Sequence, residues 1–401
     1  MQLSLTDVPG FRCWGAYVGI KSKRRDLAMI VADEPATAAA VFTQNVVVAE
    51  PVKLSRQHIR DGKAQAFIIN SGNANACTGK EGAKGALAMA NAAAEALGID
   101  RKLVIVSSTG LIGEPFPTKK VVKGIHDNVI KLTRRPIAST LCANAILTTD
   151  TFAKEAGQLF EIGKTEARIS GIAKGSGMIH PNMATMLAFL VSDVKITRNL
   201  LQEALSEAVD RTFNMITVDG DTSTNDMVAI MCSGQADHPI IRKKGRDYQE
   251  FRRALDRVCE ELARLIVSDG EGATKFVEYV VEGARDNESA RRIARTISDS
   301  TLVKTAIFGH DPNWGRIMGA AGRAGVDFDP DTVDLSLTAG EALPILENGQ
   351  PVSGRRSILA KRMQESYLRV TLRLKEGTGR AVAWGTDLSY EYVRINAEYT
   401  T

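Results

Sequence analysis

The feature that most limits how this chain can fold is a set of apolar runs with no polar alternation. Examples are MLAFLVSD at Met186–Asp193, MVAIMCS at Met227–Ser233 and LVIVS at Leu103–Ser107. A strand that is apolar at nearly every position is covered on both faces, so the chain must build at least one sheet with packing on either side. Further strands are expected at Leu27–Ala32, Ala66–Asn70, Arg168–Ala173, Met215–Val218, Phe276–Val281, Leu302–Phe308, Val333–Leu337, Tyr367–Leu374 and Arg380–Trp384. Helical spacing predicts helices at Glu81–Leu97, Lys119–Leu132, Ile137–Leu147, Arg198–Phe213, Tyr248–Ile266, Glu288–Ser298 and Asn313–Ala324, with Thr197 as an N-cap. The expected class is α/β (α+β) with large sheets. The strands do not follow the simple β-α-β beat, so a single doubly wound sheet is not expected.

Charge and cysteine content exclude several roles. The 401 residues carry 51 Lys and Arg against 47 Asp and Glu, a net charge of +4, with no block of like charge that would suit nucleic acid. The basic stretches Lys21–Arg25 and Arg242–Arg246 read as solvated loops. No apolar run reaches the roughly 20 residues of a membrane span, and the first residues lack a signal-peptide pattern. The 5 cysteines and 5 histidines are scattered, without C-x-x-C or H-x-x-x-H, so neither a metal site nor a disulfide framework is expected. A reducing cytoplasm is the expected compartment. No pyrophosphate-binding loop is visible, and no cofactor is expected.

The stretch GMIHPNMATMLAFLV, residues 177–191, raises a chemical question. A threonine hydroxyl is a weak nucleophile, but an N-terminal threonine can use its own α-amine as general base. That amine has a pKa of about 7.7–8.0. Cutting the chain between Ala184 and Thr185 would create such a group. Gly175, Gly177 and Pro181 upstream allow a bend, Ala184 is small, and a rigid strand follows. The bland alternative is a β-branched residue opening a strand. Acyl transfer also needs donors where negative charge develops. The strand end Ser107–Gly113 offers Thr109 and Gly110; a plain glycine turn is the alternative there. The amide-rich NSGNANACTG, residues 70–79, suits either a ligand or a hydrogen-bonded structural loop. VDGDTSTND, residues 218–226, lacks the spacing of a calcium loop and reads as an Asx/ST turn. His310 and Asp311 read as a capped turn, and Cys77 has no helper nearby in sequence.

Taken together, NSGNANACTG, STGLIGEPFP, ILTTDT, AKGSGMIHPNMATMLAFL, VDGDTSTND, SDGEGATKF, GHDPNWGRI and SYEYVRINAEYTT closely resemble the ornithine acetyltransferase family of arginine biosynthesis. The resemblance implies a layered fold, with sheets between outer helices, related in architecture to self-processing D-aminopeptidases. It implies self-cleavage between Ala184 and Thr185, giving an alpha fragment 1–184 and a beta fragment 185–401 that assemble as a heterotetramer of two of each. Thr185 would be the nucleophile, with Thr109 (side chain) and Gly110 (backbone) as the oxyanion pair. Thr148, Lys174, Thr185, Glu271, Asn396 and Thr401 match substrate-binding positions. The implied reaction moves acetyl from N-acetylornithine to glutamate in two half-steps, and some members also take acetyl-coenzyme A as donor. A hydrolase using the same Thr185, and an uncleaved amino-acid-binding protein, remain the alternatives.

Overall fold

A computed structural model describes residues 3–180 and 186–398. It divides into two compact units. The first comprises the described parts of Met1–Gly175, Asn182–Asn214 and Thr222–Ile266; the second those of Ser176–Pro181, Met215–Asp221 and Val267–Thr401.

The first unit is built on an eight-stranded mixed sheet. Its spatial order is Val104–Leu111, Lys63–Asn73, Leu27–Phe42, Met227–Cys232, Leu187–Ser192, Thr165–Lys174 and Lys154–Ile162, with Phe11–Ala16 paired to the first part of Leu27–Phe42. The apolar runs lie inside this sheet, as expected. Successive residues feed two separate cores. Ile30, Phe67, Phe189 and Met231 join one cluster with Ala138 and Cys142 of the helix Ile137–Ala145. Met29, Ile68 and Val106 join the other, with Met89 and Ala93 of Gly79–Leu97 and Val121 and Ile125 of Thr118–Asn128. Leu187–Ser192 and Met227–Cys232 run parallel at the centre, from Leu187↔Met227 to Ser192↔Cys232. The helix Arg246–Ser268 buries Phe251, Leu255, Val258, Leu262 and Ile266 along one stripe. Phe251 meets Phe160 at 6.4 Å between ring centroids.

The second unit has a seven-stranded sheet in the order Gln350–Pro351, Glu341–Glu347, Asp334–Ala339, Tyr367–Arg373, Phe276–Ala284, Gly379–Thr386 and Ile216–Thr217. Here the strands do alternate. In Tyr367–Arg373, Leu368, Val370 and Leu372 are buried between exposed Tyr367, Arg369 and Arg373, and Glu278 and Glu282 of the neighbouring strand take Arg369 at 2.6 Å and Arg373 and Arg380 at 3.2 Å each. The helix Asn287–Ser298 packs against Phe276–Ala284 and Gly379–Thr386. The two sheets and their helices give the mixed α/β class that the sequence implied.

Some expectations need correction. Leu302–Phe308 is not a strand but the helix Thr301–Phe308, opened by Ser300, whose hydroxyl accepts the Val303 N–H at 3.5 Å. Val303, Ala306 and Ile307 face inward at helical spacing, which a short apolar run cannot distinguish from a strand. Thr197 does occupy the N-cap of Arg198–Arg211, but its side chain makes no capping bond. The strands Phe11–Ala16, Lys154–Ile162 and Glu341–Glu347 had no apolar run to announce them. The helices Glu50–His58, Arg356–Arg362 and Tyr390–Glu398 were likewise missed.

Gly15 shows how tightly the first unit is closed. A Cβ there would overlap the Leu141 carbonyl of the helix Ile137–Ala145. Gly15→Ala should therefore cost about 3 kcal/mol, since a backbone group rather than a flexible side chain must give way. Urea unfolding of the variant against wild type measures this.

Candidate active site

The strand end that carries Thr109 is not a plain turn. Val104–Leu111 stays paired with Lys63–Asn73 through Ser71↔Thr109 and Gly72↔Gly110, and the register then shifts at Gly72/Asn73. Gly110 sits at φ 131°, and a Cβ there would overlap the Gly72 backbone, so only glycine fits this bulge. Thr109 is 5 % exposed. The backbone around it is fixed from outside the strand. Asn225 Nδ2 donates to the Ser108 carbonyl at 2.8 Å and to the Ala74 carbonyl at 2.7 Å. Ser108 Oγ donates to Asn70 Oδ1 at 2.6 Å, and Asn70 Nδ2 donates to the Asn73 carbonyl at 2.9 Å.

These bonds decide between the two readings of NSGNANACTG. Asn70, Asn73 and Asn75 spend their amides on backbone groups, among them Glu114, Pro115 and Gly82. The stretch is a hydrogen-bonded frame for the bulge.

The second feature is a buried charge cluster. Asp150 and Lys154 are fully buried, with Lys154 Nζ 2.8 Å from Asp150 Oδ1. The Gly175 amide donates to the same oxygen at 2.7 Å and the Thr148 amide to Oδ2 at 2.9 Å. Burial alone would push the Asp150 carboxyl up. Lys174, Lys154 and these hydrogen bonds outweigh it and hold the group well below the usual carboxylate range. Lys174 is itself 3 % exposed, at the end of Thr165–Lys174 and opposite Leu187. Asp150 thus holds the backbone of Thr148 and balances the charge of Lys174, two residues that the resemblance marked.

Sequence reasoning missed Asp150. It lies in the ILTTDT motif, two residues after Thr148, whose amide it accepts, but its ionic partners Lys154 and Lys174 are not announced by that motif. It also misjudged Lys21 as a solvated charge. Lys21 Nζ donates to the Leu147 carbonyl at 2.9 Å, and burial pulls its pKa down to about 8 although Asp26 and Asp150 oppose this. The fixed geometry of Asp26, which accepts the amides of Val18, Ile20 and Lys21, turns that loop inward.

In the second unit the structure brings Glu271 and Asn396 together, with Asn396 Nδ2 donating to Glu271 Oε2 at 2.9 Å. The Glu271 amide donates to the Ser176 carbonyl at 3.1 Å, and Gly177 lacks the Cβ that would strike the Glu271 carboxyl. Asp219 of the VDGDTSTND stretch accepts the Met178 amide at 2.6 Å and the Ile179 amide at 2.8 Å, so the residues just before Pro181 are anchored. The Tyr392 hydroxyl donates to the same Asp219 at 3.3 Å. This stretch is the hydrogen-bonded turn expected from its sequence. Ala184, Thr185 and Thr401 lie outside the described residues. Among the described residues, no group of His, Cys, Asp or Glu is arranged to hold a metal ion. Nor is any helix among them long and apolar enough to cross a membrane.

The glycine bulge, braced by amide side chains, lies in the same sheet as strands that carry the buried lysine–aspartate cluster. Comparison with known proteins gives the family. The ArgJ family model matches residues 12–401, and this chain belongs to that family. It is 45 % identical over 399 residues to the arginine biosynthesis bifunctional protein ArgJ of Bacillus cereus, covering 99 % of this chain and 97 % of that one. It is 46 % identical over 400 residues to the protein of the same name from Symbiobacterium thermophilum, covering 99 % and 98 %. A solved structure of arginine biosynthesis bifunctional protein ArgJ from Bacillus halodurans is 42 % identical with a TM-score of 0.50. That match covers 53 % of this chain and 98 % of the solved one.

Asp150→Ala would leave two buried ammonium groups without their carboxylate, at a cost of about 3–5 kcal/mol. The sign with pH follows from the depressed pKa. The stabilisation is complete above the unfolded value of about 3.9 and drains away as the pH falls below it. Denaturant unfolding should therefore show a gap between wild type and variant at pH 7 that narrows below pH ~4.

Proposed function

We propose that this chain, an arginine-biosynthesis acetyltransferase of the ArgJ family, moves acetyl from N-acetylornithine to glutamate through an acetyl ester on Thr185. The family match over residues 12–401 carries the reading. The glycine bulge at Gly110 gives it chemical content. Thr185 becomes N-terminal when the bond after Ala184 is cut, and its amine then serves as base. Its hydroxyl oxygen bonds to the acetyl carbon, the carbon–nitrogen bond breaks, and ornithine leaves with the proton. The oxyanion is stabilised by the Thr109 hydroxyl and the Gly110 N–H. The glutamate amine then attacks the ester, taking the acetyl group and returning the hydroxyl. Acetyl-coenzyme A is a second donor for the first half-step, in keeping with the word bifunctional in the relatives' names.

Substrate carboxylates are drawn to Lys174, and the remaining contacts come from Thr148, Glu271, Asn396 and Thr401. A proportion in the solved relative supports the cut. That chain is almost wholly covered by a match to only 53 % of this one, whereas curated relatives run the full length. Residues 185–401 make up slightly more than half of the 401. The two fragments form a heterotetramer of two alpha and two beta pieces, and the enzyme works in the cytoplasm without a cofactor.

Intact mass and a denaturing gel test the cut. Wild type should give two chains near half of 43.3 kDa, and Thr185→Ala one uncut chain whose turnover is down by several orders of magnitude. A whole wild-type chain that still turns over would overturn the reading. So would release of free acetate at the transfer rate when glutamate is omitted, the signature of a hydrolase. Lys174→Met tests the charge assignment: KM for both amino acids should rise about tenfold, the equivalent of 1.4 kcal/mol. Unchanged KM values would remove Lys174 from substrate binding.

A further inference from the structure

We propose that Lys21 receives the second carboxylate of glutamate and so fits the site to a dicarboxylic acceptor, an inference that rests on the function proposed above. Lys21 lies in the loop between Phe11–Ala16 and Leu27–Phe42. Asp26 accepts the amides of Val18, Ile20 and Lys21 at 2.6, 2.7 and 3.0 Å, which holds the loop turned inward. The Lys21 stem runs over Gly72, where a Cβ would lie 2.7 Å from Lys21 Cγ. Gly72 is the ladder partner of Gly110 in the bulge. Nζ then reaches the Leu147 carbonyl at 2.9 Å, one residue before Thr148. Ser71 Oγ donates to the Ala145 carbonyl at 2.6 Å, so the same strand end meets the same segment a second time. A flexible side chain is thus fixed at both ends, its stem on the bulge's partner strand and its ammonium on the Thr148 segment.

The ammonium is under-used by the protein. It has three N–H donors, and the Leu147 carbonyl takes one. Among the described residues Nζ makes no other hydrogen bond and no ion pair. The charges that act on it are Asp26, Arg24, Asp150 and Lys174, so the group holds three cations, Lys21 included, against two carboxylates. Those carboxylates are engaged elsewhere. Asp26 takes the loop amides, and Asp150 takes Lys154 Nζ and the amides of Thr148 and Gly175. Burial pulls the ammonium down to about 8, which leaves it mostly charged at pH 7. A partly buried cation without a carboxylate of its own is stabilised by an anion that a ligand brings.

The two amino acids differ where such a cation would act. Both carry an α-carboxylate, the group drawn to Lys174. At the far end of the side chain glutamate has a second carboxylate, whereas ornithine has an ammonium. A cation on the Thr148 segment attracts the first and repels the second. Lys21 therefore acts on the glutamate half-step more than on the N-acetylornithine half-step.

Lys21→Met is the direct test, since an unbranched stem still covers Gly72 while the charge is gone. Acetyl transfer by wild type and variant is measured with each substrate varied in turn, alongside thermal melting. The fall in kcat/KM for glutamate should exceed any fall for N-acetylornithine by at least about tenfold. Equal falls overturn the assignment and leave Lys21 a brace for the Thr148 segment, and so does the absence of any fall. If the variant does not fold, competitive inhibition of wild type decides. Glutarate and pentanoate share a five-carbon chain but carry two carboxylates and one. Against glutamate, glutarate should inhibit at least about tenfold more tightly at pH 7, and this advantage should shrink as the pH rises through about 8, where Lys21 loses its charge. Equal inhibition, or an advantage that does not change above that pH, overturns the proposal. A wild type that passes no acetyl to glutamate refutes the proposed function itself, whereas the other failures remove only the role of Lys21.

Discussion

The first unit depends on one buried carboxylate. Asp150 accepts Lys154 Nζ, the Gly175 amide and the Thr148 amide, and its charge offsets the cost of burying Lys154 and Lys174 as ions. It ties the chain just past the helix Ile137–Ala145 to the end of the strand Thr165–Lys174. At that strand end Lys174 pairs with Leu187, two residues beyond Thr185. Ion pairing inside the protein and register in the sheet are thus one constraint: the charge cluster fixes where Lys174 stops, and the ladder fixes where Leu187 starts. A surface ion pair could not do this, because water and salt would weaken it and leave the register to the strands alone.

The sheet core was legible because its signal is composition rather than pattern. Leu187–Ser192 and Met227–Cys232 are apolar at almost every position, and only burial on both faces explains that. The missed strand Lys154–Ile162, KEAGQLFEI, has a glycine and several polar residues at an edge of the sheet. Leu27–Phe42 was caught only in part, because Asp33, Glu34 and Pro35 interrupt it where its pairing with Lys63–Asn73 shifts register between Val31 and Ala36. The site divides in the same way. Thr109 and Gly110 were visible from a glycine after a strand. Asp150, Lys21 and Asn225 act through partners far away in sequence, such as Lys174, Leu147 and Ser108, and spacing cannot reveal such pairs.

The proposed fragments and the compact units are different divisions of the same chain. Within the first sheet the order Leu27–Phe42, Met227–Cys232, Leu187–Ser192, Thr165–Lys174 places two strands from beyond residue 184 between two from before it. Both outer contacts are antiparallel ladders of six residue pairs, from Thr37↔Cys232 to Phe42↔Met227 and from Ile169↔Ser192 to Lys174↔Leu187. The core crosses the same boundary, with Ile30 and Phe67 from one side packed in a cluster with Phe189 and Met231 from the other. Breaking one peptide bond at 184 would release chain ends without removing any of these contacts. Separating the pieces would instead expose two strand edges and open that core, at a cost comparable to unfolding the unit. The interleaved order would therefore keep the sheet whole through the scission proposed above.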